Sequence, residues 1–192
     1  MIRRLLFVLI LGGLVIPLSV PAQANGPGSV YSRDHFDNPY SFKDDGCGFT
    51  FKVKGHARGY EVIRNVVGSR GQAFLDDSHY RFHEVWTNPA NGRKAYVHGH
   101  AHFKEVSAQH VKGDLWRFLS VTTGRPFVVR NDRGQVVLAD SGRIVEQTLL
   151  DTQGDHRPGG ELIRSVVLQV QGSYPSHAKD FDFCAMAREV LH

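Results

Sequence analysis

The stretch YVHGHAHF, residues 96–103, places His98, His100 and His102 at every second position. An imidazole is a nitrogen donor for zinc or copper and a proton carrier near neutral pH. On a strand, residues two apart share a face at about 6.5–7 Å, so two such rings can turn onto one ion. Three in a row span about 13 Å, and one ion cannot take them all. Further ligands must come from a neighbouring strand.

The run 79–87 is that neighbour, joined to 94–103 through the turn NPANGR at 88–93. Tyr80, Phe82 and Trp86 share parity, as do Val97, Gly99, Ala101 and Phe103. Setting these apolar sets on one face fixes the register, because a one-residue slip would flip every side chain. His83 then opposes His98 and His79 opposes His102. The polar face gathers His79, Arg81, His83, His98, His100 and His102. His83, His98 and His100 are the cross-strand set that could hold zinc or copper. The competing reading is a solvated face that becomes strongly basic in mild acid. That reading is the expectation, and no cofactor is expected, because paired imidazoles without a third ligand and supporting hydrogen bonds seldom make a selective site.

Other chemistry is sparse. The chain has no G-x-S-x-G, H-E-x-x-H, G-x-x-x-x-G-K or C-x-x-C. His83-Glu84 lacks the second histidine of a zinc-protease helix. Asp44-Asp45 and Asp76-Asp77 read as solvated turns, and Asp140-Ser141 as a turn rather than part of a triad. Catalytic residues are therefore not assigned. Phe82, Trp86, Phe103, Trp116 and Phe118 are candidates for core packing or for lining a ligand cavity.

The elements that must position these residues have period two. Phe49, Phe51 and Val53 alternate with Thr50, Lys52 and Lys54. Strands are expected at 49–54, 60–67, 79–87, 94–106, 115–123, 126–130, 135–139, 143–150 and 161–171, with a helix over 181–191. Short strands with regular turns predict an all-β fold: an antiparallel barrel of about eight strands with a short C-terminal helix, or else a β-sandwich. Closure is favoured because it removes sheet edges.

The N-terminus has the layout of a secretory signal peptide: Arg3 and Arg4, an uncharged run over 5–20, then Ala22-Gln23-Ala24 before a cleavage point. The expected organisation is a signal peptide at 1–24, a flexible Gly/Pro/Ser-rich arm at 25–46 and a barrel domain at 47–192. No later run is long and apolar enough for a helical membrane span. Removing Arg3 and Arg4 leaves 21 of the 23 basic residues against 19 acidic ones, a net charge of +2. So small an excess, without basic runs, argues against nucleic acid as a partner. In an exported chain the two cysteines, Cys47 and Cys184, are expected to pair.

Four stretches carry a resemblance: DDGCGFTF, TNPANGR, GRPFVVRNDRGQVVLADSGRIV and FDFCAMAREVL. Across about residues 44–190 the chain resembles a group of uncharacterised secreted proteins from actinobacteria, similar to the allene oxide cyclase and dirigent-type barrels. The resemblance implies fold and export and carries over no catalytic residue. The functional expectation is a secreted, non-catalytic protein that binds a small apolar ligand or a surface partner. The rivals are a barrel cyclase-like enzyme and a metal- or haem-handling protein that uses the histidine face.

Overall fold

A computed structural model describes residues 28–192, and the expected signal peptide lies outside the described residues. Eight strands form one antiparallel sheet: β1 (Val30–Asp44), β2 (Phe51–Asn65), β3 (Phe74–Thr87), β4 (Lys94–Lys112), β5 (Leu115–Arg130), β6 (Val136–Ala139), β7 (Ser141–Asp151) and β8 (Glu161–Ser173). The order is β1-β2-β3-β4-β5-β7-β8, with β6 paired to the end of β5. A short 3-10 turn, Pro175–His177, and helix α1 (Phe183–Leu191) follow. The all-β class and the C-terminal helix are as expected. The sheet is open: β1 and β8 are its two ends and do not pair with each other.

The expected flexible arm is instead mostly strand. β1 pairs with β2 from Asp44↔Phe51 to Val30↔Arg64. The turn-like composition of 25–46 concealed an alternation of Phe36, Asn38, Tyr40 and Phe42. Two of those rings explain the pairing. A Cβ on Gly55 would lie 2.5 Å from the Tyr40 ring, and one on Gly59 would lie 2.7 Å from Phe36 Cζ. The glycines of GHARG are seats for the aromatic rings of β1. They do not break the strand, so the two expected strands at 49–54 and 60–67 are one.

The core lies on the face carrying Trp86, here called the inner face. At one end Phe51, Val53, Trp86, Val97, Val129 and Leu138 pack with Met186, Val190 and Leu191 of α1, and Phe82 packs against this cluster. At the other end Trp116, Phe118 and Ala73 form a smaller cluster. Asp182 caps α1 by accepting from Ala185 N at 3.0 Å. At its C-terminal end Asn88 and Asn91 donate to Leu191 O at 3.1 and 2.9 Å. The NPANGR turn thus also captures a helix-terminal carbonyl. Cys47 and Cys184 form the disulfide, tying the loop before β2 to α1.

Candidate functional site: the histidine and arginine face

The β3–β4 register places His79 opposite His102, Arg81 opposite His100 and His83 opposite His98. Phe82 and Phe103, by alternation, face the other way. β2 extends each row: Tyr60 opposes His79, Arg58 opposes Arg81 and His56 opposes His83. β1 adds His35 beside Tyr60 and Asp37 beside Arg58. On the far side His100 pairs with Arg125. A bulge makes that last pairing, since the register shifts between His98 and His100. Pro126, which has no N–H for the ladder, sits in the bulge, and its carbonyl oxygen lies 2.1 Å from where a Gly99 Cβ would be.

Three cross-strand rows result. The first is His35, Tyr60, His79, His102. The second is Asp37, Arg58, Arg81, His100, Arg125. The third is His56, His83, His98. The first row is a ring ladder: His35–Tyr60 centroids lie 6.0 Å apart, Tyr60–His79 4.7 Å and His79–His102 3.8 Å, the last two pairs stacked. In the third, the His56 and His83 rings lie 5.5 Å apart. His56 also meets Asp37 at 2.5 Å. That contact engages the only carboxylate of the middle row.

The middle row is electrostatically unusual. Arg58, Arg81, His100 and Arg125 are all exposed. Arg58 and Arg81 are directly opposed, an arrangement that costs stability in an isolated sheet. Among the described residues no ion pair reaches either of them or Arg125. A shallow concavity of about 380 Å³ opens between His35, Arg58, Tyr60 and Arg81. Burial, Arg130, Arg125 and His100 together hold His98 below the usual histidine pKa.

The expected metal set, His83, His98 and His100, does not converge. The described residues that bring three ligand atoms within 4.8 Å of one another are Asp77, His79 and His102. Sequence reasoning assigned Asp77 to a solvated turn. It lies inside β3, opposite Lys104, with the same parity as His79. Extending the strand by two residues would have found it. His102 Nε2 lies 2.7 Å from Asp77 Oδ1, while Lys104 Nζ and Arg64 Nη1 approach Oδ2 at 3.6 and 3.9 Å. Burial alone would push the Asp77 carboxyl up, but His102, Lys104 and Arg64 outweigh it and hold it below the ordinary value. His79 is held low by burial and by His102.

The inner face carries a different chemistry. Asp76 N donates to Glu105 Oε2 at 2.8 Å. Burial, with the charges of Glu61 and Asp77, pushes the Asp76 carboxyl up to about 7, and burial with the charge of Asp76 pushes Glu105 up to about 7. Glu84, buried beside the core, accepts from Tyr40 at 2.6 Å and from Trp86 Nε1 at 2.6 Å. Asp140, also buried, accepts from the Ser176 amide at 3.1 Å and from its hydroxyl. The Ser176 hydroxyl also lies 2.9 Å from His177 Nδ1. The serine sits between the acid and the imidazole, so this is not the order of a nucleophilic triad, in which histidine bridges the other two.

The aromatic candidates are packed. Trp86 and Phe82 belong to the first core cluster, and Trp116 and Phe118 to the second. Phe103 lies on the same inner face, opposite Ser78. None of the five lines the concavity above or another of about 420 Å³ beside α1. No known family, curated protein or solved structure matches the chain.

Proposed function

We propose that this is an exported, non-catalytic binding protein of the small β-barrel kind, whose outer sheet face docks an acidic polysaccharide. The observation that carries the reading is the middle row. Arg58 and Arg81 are exposed, adjacent and, among the described residues, without ion-pair partners, and they continue into His100 and Arg125. Like charges held opposite one another favour occupancy by an anion that relieves them. Guanidinium groups suit carboxylate and sulfate, which they bind through two parallel hydrogen bonds. Neighbouring strands lie about 4.8 Å apart, so the row offers closely spaced charges to a chain running across the strands.

The face suits a glycan better than single-stranded nucleic acid. The latter binds on free aromatic platforms. The one tyrosine amid these rows, Tyr60, is flanked by the rings of His35 and His79. A small apolar ligand is the weaker reading, because the aromatic residues expected to line its cavity pack into the two core clusters.

Calorimetry with dextran sulfate and polygalacturonate tests the proposal. Binding should weaken with added salt. It should fall by about 10-fold or more when Arg58 and Arg81 are both changed to alanine, on the scale of losing two charge-assisted hydrogen-bonding groups. Equal binding by the double variant, or tighter binding to single-stranded DNA or anionic vesicles than to both polysaccharides, would reject it.

A further inference from the structure

A second feature of the same face is independent of the polysaccharide reading. We infer that Asp77, His79 and His102 form a binding site for a divalent first-row metal ion, zinc or copper(II), on the outer face of the β3–β4 hairpin. These residues supply one carboxylate oxygen and two imidazole nitrogens, with the three ligand atoms mutually within 4.8 Å. Bond lengths of about 2.0–2.2 Å to zinc place tetrahedral ligand atoms about 3.3 Å apart, so modest side-chain rotation closes the set. Two further distances are already short. Asp77 Oδ1 and His102 Nε2 lie 2.7 Å apart. The His79 and His102 rings stack at 3.8 Å with 15° between their planes. Near-parallel rings at that separation hold their edge nitrogens side by side, and a small tilt points both lone pairs at one ion.

The two ends of the carboxylate have separate tasks. Arg64 and Lys104 approach Oδ2, while Oδ1 faces His102. The cations fix the orientation of the ligand oxygen and leave it free. They also repel a dication, which places the expected affinity in the micromolar range and not below it. The backbone contributes rigidity, since all three ligands lie within paired strands and His79 and His102 are directly opposed. An ion bound here replaces the hydrogen between His102 Nε2 and Asp77 Oδ1, and that proton leaves to solvent. Three protein ligands leave a fourth position for water, so the site is open.

Copper(II) should bind more tightly than zinc at such a nitrogen and oxygen set. The test titrates zinc chloride and copper(II) chloride separately into the folded protein. One ion per chain is expected. Asp77→Asn, which keeps the side-chain shape, and His79→Ala should each weaken uptake by about 100-fold, as expected for loss of a direct ligand. The double variant His83→Ala, His98→Ala should bind as the parent does. Imidazole signals of His79 and His102 should broaden first under substoichiometric copper(II). No uptake by the parent protein would overturn the inference. So would uptake lost in the His83/His98 variant and kept in His79→Ala or Asp77→Asn. Asp77→Asn keeps the test decisive if His79→Ala loses its fold.

Discussion

At the scale of single residues, the two sheet faces treat charge in opposite ways. The outer face leaves Arg58, Arg81 and Arg125 exposed and, among the described residues, without an ion pair. On the inner face, burial favours the protonated form of the Asp76 and Glu105 carboxyls. Glu105 shows this most clearly, with its pKa pushed up to about 7 by burial and by the neighbouring Asp76. Its folded value lies above its unfolded one, so the native state binds more protons than the unfolded chain between about pH 4.5 and 7. The stability linked to this proton is fully present below the unfolded value and is lost as pH rises through the folded one. Glu105→Gln keeps an oxygen for the Asp76 amide and removes the titration. Chemical denaturation should find the variant more stable than the parent at pH 8, by up to about 3 kcal/mol on the scale of 1.36 kcal/mol per pKa unit. At pH 4.5 the gain should vanish. A constant difference between the two pH values would show that Glu105 does not hold its proton in the fold.

At the scale of elements, the β3–β4 hairpin was legible and β1 was not, for different physical reasons. An even loop and two apolar sets of fixed parity determine one register, and His79↔His102 and His83↔His98 follow from it. No comparable constraint marks 30–44. Its strand character comes from Phe36 and Tyr40 resting on Gly59 and Gly55, a tertiary contact that composition cannot reveal. The candidate site was half legible for the same reason. The histidines were found by spacing, whereas Arg58 and Arg125 come from strands whose alignment depends on those glycine seats and on the bulge at Pro126. The NPANGR turn was legible as a turn but not as a cap for α1. Asn88 is 2 % exposed and donates to Leu191 O while accepting from the Ala90 amide. Asn88→Ala removes both bonds in a buried setting and should destabilise by about 1–3 kcal/mol. Asn91→Ala should cost less, because Asn91 is exposed. Thermal melts of the two variants give the comparison, and an equal effect would mean that Asn88 has no cap role beyond the turn.

At the scale of the whole molecule, order is unevenly supported. The rows of the outer face run from the end strand β1 across to β5, held by ladders of paired strands. The end under α1 depends on contacts far apart in sequence: the Asn88 and Asn91 caps, the packing of Met186, Val190 and Leu191, and the Cys47–Cys184 bond across 137 residues. A cross-link over so long a loop stabilises chiefly by limiting the unfolded chain, by up to about 4–5 kcal/mol in the entropy model. Opening it should therefore lower global stability while loosening α1 first, because it leaves the hydrogen bond from Arg188 to Cys47 O to tie those two segments. The variant with both cysteines changed to serine should melt at lower temperature. Its hydrogen exchange should quicken in α1 and in the 45–50 loop well before it quickens at β3 and β4. Copper(II) uptake by Asp77, His79 and His102 should survive the change, since none of these residues touches the bridged end. Uniform acceleration of exchange through β3 and β4 would instead show that the disulfide and the histidine face belong to one cooperative unit.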